Sequence, residues 1–103
     1  MGLKVIYLEV AIRDLQSIYK YIAQDSKKYA GLEVNKIKLF IDSLKSSPFK
    51  GKYYETIKGQ EIRSIVFRNY IIFHTVSKEQ VRILSIHHHA RLISNNPAFN
   101  EEE

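Results

Sequence analysis

Residues 53–87 read YYETIKGQEIRSIVFRNYIIFHTVSKEQVRILSIH, and the punctuation of this stretch decides the fold. Tyr53 to Ile57, Ile62 to Phe67, Tyr70 to Val76 and Gln80 to His87 are runs rich in β-branched and aromatic residues, the composition of strands. Lys58-Gly59-Gln60, Arg68-Asn69 and Ser77-Lys78-Glu79 separate them, and links of that length suit hairpin loops. The stretch therefore predicts an antiparallel meander of three or four strands. Tyr70-Ile71-Ile72-Phe73 is apolar at successive positions, hence on both faces, which predicts that this strand is central.

Upstream the period changes. Ala11, Leu15, Ile18 and Ile22 recur at spacings of four, three and four, while Arg13, Asp14, Gln16, Ser17, Lys20 and Gln24 fall on the other side. That pattern is an amphipathic helix over about residues 10–25. Asp25-Ser26 supplies N-cap chemistry for a second helix, over about 27–46, whose stripe is Ala30, Val34, Ile37, Ile41 and Leu44, widened by Phe40. Ser46-Ser47-Pro48 ends it, because the residue before proline disfavours helical geometry. Two helices joined this tightly pack antiparallel as a hairpin. Residues 3–8, LKVIYL, read as a first strand that joins the sheet edge. The expected fold class is α+β: an N-terminal strand and an αα-hairpin packed on a twisted antiparallel sheet.

Composition agrees with one small domain. The chain has 103 residues, 45% hydrophobic, with seven Tyr and five Phe as bulky core fillers. With no cysteine, disulfides and thiolate metal sites are excluded. No stretch approaches the ~20 apolar residues that cross a bilayer, and the N-terminus is a poor signal peptide, so the expectation is a cytoplasmic protein with no membrane partner. Residues 1–91 hold all sixteen basic side chains and eight of the eleven acids, a net of +8, whereas residues 92–103 carry only Glu101, Glu102 and Glu103. We divide the chain accordingly into a basic domain, 1–91, and an acidic tail, 92–103. Such a body attracts polyanions or an acidic protein, although a solvated lysine-rich surface has the same composition.

Several motifs then resemble a known family. Asp14-Leu15, Ile18 and Tyr21-Ile22-Ala23 are similar to the first-helix signature of ParE-type toxins, and Pro48-Phe49-Lys50-Gly51 resembles the turn that follows the second helix. Gly59, Ile62-Arg63 and Asn69-Tyr70-Ile71-Ile72-Phe73 resemble the central motif of the RelE/ParE superfamily; Val81 to Ile86 with His88, Ala90 and Arg91 resembles its close. The likeness spans about residues 3–91 and leans toward ParE. It implies the toxin of a type II toxin–antitoxin pair, of the kind that stabilises plasmids, neutralised by a cognate antitoxin and needing no cofactor. ParE-like members poison DNA gyrase; RelE-like members cut messenger RNA on the ribosome.

Metal-independent RNA cleavage needs a base for the 2′-hydroxyl, a cation for the phosphate and an acid for the leaving oxygen. By resemblance to YoeB-like toxins, Glu55 would be the base, His88 the acid and Arg63 the oxyanion stabiliser, with Arg63 and His88 gathered at one end of the sheet. Against this, nuclease members carry Arg directly after the aromatic that opens the central strand, where this chain has Tyr70-Ile71. The resemblance therefore favours gyrase over the ribosome, with a non-toxic basic nucleic-acid-binding relative as a third reading. Arg63 could instead simply ion-pair with Glu61 or Asp42, although its motif position favours a functional role, and Glu55 could be a solvated turn carboxylate. Lys50, Lys52, Tyr54, Arg68 and Arg91 are the candidates for touching target or nucleic acid. His87 and His89, with His74, form at most a weak metal signal, since no fixed carboxylate accompanies them, and no metal is expected.

Overall fold

The two apolar stripes fold as two helices and the β-rich stretch as four strands. The computed structural model describes residues 3–88, in the order β1 (Lys4–Tyr7), α1 (Glu9–Ala23), α2 (Lys27–Asp42), a 3-10 turn (Ser43–Lys45), β2 (Lys52–Ile57), β3 (Gln60–Phe67), β4 (Tyr70–Val76) and β5 (Gln80–His88). The Ser26 hydroxyl caps α2 by accepting from the Tyr29 amide at 3.1 Å, as the Asp25-Ser26 break predicts. At its other end α2 tightens into the 3-10 turn before Pro48 stops the chain from continuing.

Strands lie in the order β1-β5-β4-β3-β2. The meander β2 to β5 is antiparallel throughout, and β4 is central, as its two apolar faces suggest. Strand β1 joins the edge parallel to β5, pairing Lys4 with Gln80 and Tyr7 with Ile83, so the whole sheet is mixed. A parallel neighbour needs a long crossover, and the helical hairpin lies between β1 and the meander to supply it.

One face of the sheet carries the helices. Leu15 and Ile18 of α1, with Ile37 and Ile41 of α2 and Leu44, pack with Ile65, Ile72, Val81, Ile83 and Ile86 in one buried cluster. A β-bulge shapes this face. Phe73 pairs with Ser85 and His74 with Ile83, leaving Leu84 as an extra residue in β5. Because strand side chains alternate, that insertion moves Ile86 and His88 to the helix side, with Ile83, and turns Ser85 and His87 to the other.

Strand β1 stops opposite Ile83, so the backbone of β5 beyond that point loses its strand neighbour on one side. The Asp14 carboxylate of α1 fills the gap by accepting the Ile86 amide at 2.9 Å. This gives the Asp14-Leu15 pair a structural meaning: Leu15 enters the core while Asp14 satisfies a sheet donor. Among the described residues, no helix is long and apolar enough to cross a membrane.

Asp14→Ala leaves the Ile86 amide without its acceptor, and stability should fall by about 1–3 kcal/mol. Urea unfolding followed by circular dichroism measures the loss. Asp14→Asn, which keeps an acceptor oxygen, should recover most of it.

Candidate functional site

Tyr54, Glu55, Ser64, Phe73, Ser85 and His87 come from four strands and line a cavity of about 510 Å³ on the sheet face opposite the helices. Alternation brings them there: Glu55 pairs with Ile62, Ser64 with Phe73, and Phe73 with Ser85, all on one side. A register shift between Tyr53 and Glu55 lets Tyr54 lie over Phe73. The rings form a row, with Tyr54 and Phe73 edge-to-face at 4.9 Å and Phe73 and His87 edge-to-face at 5.6 Å.

The resemblance-based trio does not assemble. Glu55 is on this open face, whereas Arg63 pairs with His74 and His88 with Tyr70 on the helix face. Arg63 and His88 are also not gathered at one end. Their partners on β4 lie four residues apart, about 13 Å along the strand. The β5 bulge, which sequence spacing cannot locate, puts His88 on the face opposite Glu55, while the β2–β3 register separates Glu55 from Arg63. His88 packs edge-to-face on Tyr70 at 5.4 Å. His74 and His87 lie on opposite faces, so they cannot share a ligand, and no group of metal-binding side chains is found among the described residues. Arg91 lies outside the described residues.

Arg63 is engaged by its own chain. One terminal nitrogen donates to Glu61 Oε1 at 3.1 Å, the ion pair weighed from sequence, and the other to the Gly51 carbonyl at 3.1 Å. Beside it His74 is fully buried, with Nε2 2.9 Å from the Pro48 carbonyl. Together these contacts pin the 48–51 turn to the sheet. Gly51 sits at φ +96, and a Cβ there would come within 2.4 Å of the Ser64 carbonyl, so the turn admits only glycine. Burial holds the His74 imidazole below its usual range, and the Arg63 guanidinium pushes the same way, against the Pro48 hydrogen bond.

Arg68 is also occupied. At φ +57 in the β3–β4 turn, it forks onto the buried Glu33 carboxylate of α2, Nε to Oε2 and Nη2 to Oε1 both at 3.1 Å. The Tyr70 hydroxyl pKa is pushed up to about 12, first by burial and then by the negative charge of the nearby Glu33 carboxylate. Sequence reading missed Glu33, though an acid on the apolar side of a helix is itself a signal that a cation must meet it. Of the cations proposed for target contact, Lys52 is exposed and paired with Ser64 on the open face, and Lys50 lies 5.8 Å from the Phe40 ring centroid.

Residues 5–93 match the family model for the ParE toxin of the type II toxin–antitoxin system parDE. The chain belongs to the ParE toxin family. Among solved structures, this ParE-family chain is similar to a chain of the chromosomal ParDE toxin–antitoxin system from P. aeruginosa, at 17% identity and TM-score 0.66, over 84% of this chain and 95% of that one. It is also similar to a chain of the E. coli DinJ–YafQ complex, at 16% identity and TM-score 0.56, over 89% and 98%. At these identities the likeness speaks for the fold. No curated protein matches the ParE-family chain in sequence.

The buried His74 makes stability depend on pH. Its folded-state pKa is lowered, so the unfolded chain binds the proton more readily. The contribution of neutral His74 is complete above about pH 6.5, the ordinary histidine value, and is lost as pH falls below it. Urea midpoints measured between pH 8 and pH 5 should fall on the acid side, and His74→Gln should flatten that part of the profile.

Proposed function

We propose that this chain is a ParE-like toxin that inhibits DNA gyrase in the cytoplasm and is held inactive by a cognate antitoxin. The observation that carries the gyrase reading is the separation of Glu55 from Arg63 and His88 on opposite sheet faces. General acid–base cleavage of RNA requires base, cation and acid around one phosphate. Here the strongest candidate cation spends both terminal nitrogens on Glu61 and Gly51. The match to the ParE toxin model over residues 5–93 supports the same choice. The basic body favours an antitoxin that brings an amphipathic helix and an extended acidic segment.

A second reading, ribosome-dependent RNA cleavage, is favoured by one observation: Glu55 and His87 line the same cavity. In that case His87, rather than His88, would serve as the acid.

Induced expression should arrest growth, and the purified chain should inhibit supercoiling by gyrase while leaving ribosome-bound messenger RNA intact by primer extension. Messenger RNA cleavage that disappears in His87→Ala, with supercoiling unaffected, would replace this reading with the second. Absence of arrest would remove the toxin assignment.

A further inference from the structure

The open sheet face combines three features that a packed surface does not need. The first is the ring row of Tyr54, Phe73 and His87, in which Tyr54 stands at the outer end and is 54% exposed. Large aromatic surface left bare beside a cavity is a stacking platform for a planar ligand, because every nucleobase offers a π-face. The second is charge at the margins. Lys52 pairs with Ser64, and Arg82 pairs with Thr75, so both cations lie on this same face at its two sides. Backbone phosphates on either side of a stacked base would meet them. The third is Glu55, the one carboxylate among the described residues that line the cavity.

Glu55 decides which base fits. An ionised carboxylate accepts two hydrogen bonds and donates none. On the Watson–Crick edge of guanine, N1–H and the N2 amino group point the same way, two donors spaced for one carboxylate. Adenine and cytosine each place an acceptor next to their amino group, and uracil and thymine flank a single N–H with carbonyls. A carboxylate facing any of these leaves acceptor against acceptor. We propose that the open face binds an unstacked guanine of a single-stranded nucleic acid, its ring on Tyr54 beside Phe73 and its Watson–Crick edge on Glu55. The inference stands apart from the gyrase reading, since it names what the face holds and not which enzyme is inhibited.

Fluorescence anisotropy with the labelled pentamers UUGUU and UUAUU, and their deoxy counterparts TTGTT and TTATT, tests it on the full chain. Guanine should bind about tenfold more tightly than adenine in both sugar series, the discrimination expected of one good bidentate contact. Glu55→Ala removes both acceptor oxygens and should abolish the preference for guanine over adenine. Tyr54→Ala should weaken every oligomer alike, and Lys52→Ala should do so while flattening the salt dependence. All three side chains are exposed, so circular dichroism should show each variant folded. Equal binding of guanine and adenine oligomers, a preference confined to one sugar, or a guanine preference that survives in Glu55→Ala would each overturn the assignment.

Discussion

The apolar seam between the helical hairpin and the sheet governs what the rest of the molecule can do. Ile37, Ile41, Leu44, Ile72, Val81 and Ile83 are fully buried in it. Each such side chain contributes on the order of 1.5–3 kcal/mol by leaving water, so the seam outweighs any single polar contact in the structure. It is also one-sided. Two helices can cover one face of a five-stranded sheet, and among the described residues no second layer covers the apolar and aromatic residues of the other face. The bareness that makes the open face a candidate site is thus a geometric result of how the core is built.

Polar contacts refine what the seam begins. Asp14 joins α1 to β5, Glu33 joins α2 to the β3–β4 turn through Arg68, and Arg63 with His74 joins the 48–51 turn to the sheet. Each of these groups links an element of the seam to a neighbouring segment through a backbone or side-chain polar partner. The Arg63 Nε and His74 Nδ1 atoms are buried without a protein partner, so the 48–51 attachment is the least completely satisfied of the three. That turn also presents Phe49 and Lys50 to solvent, so the weakest joint supports an exposed feature.

Much of the architecture was legible in the residues. The Ala11–Leu15–Ile18 stripe, the Asp25-Ser26 break and the Arg68-Asn69 turn each encode a local structure with little competition, and each is found where its chemistry puts it. What escaped was long-range. The parallel sense of β1 depends on where the crossover returns, which no local pattern records. The extra residue at Leu84 breaks an alternation that the run from Val81 to His87 otherwise obeys, and it alone decides that His87, not His88, faces the cavity. Arg63 shows the complementary limit: its motif position and its pairing with Glu61 were visible, but its bond to the Gly51 carbonyl is a property of the folded turn.

The two outermost strands bear on how copies of this chain behave in a crowd. Any sheet with open borders can recruit a neighbour's border through its spare amides and carbonyls. Here β1 is only four residues long and begins with a lysine, while β2 begins with a lysine and is kinked at Tyr54. A short charged border and a bent one make poor templates for runaway stacking into fibrils. Among the described residues, the aromatic face is thus flanked by borders that discourage such stacking.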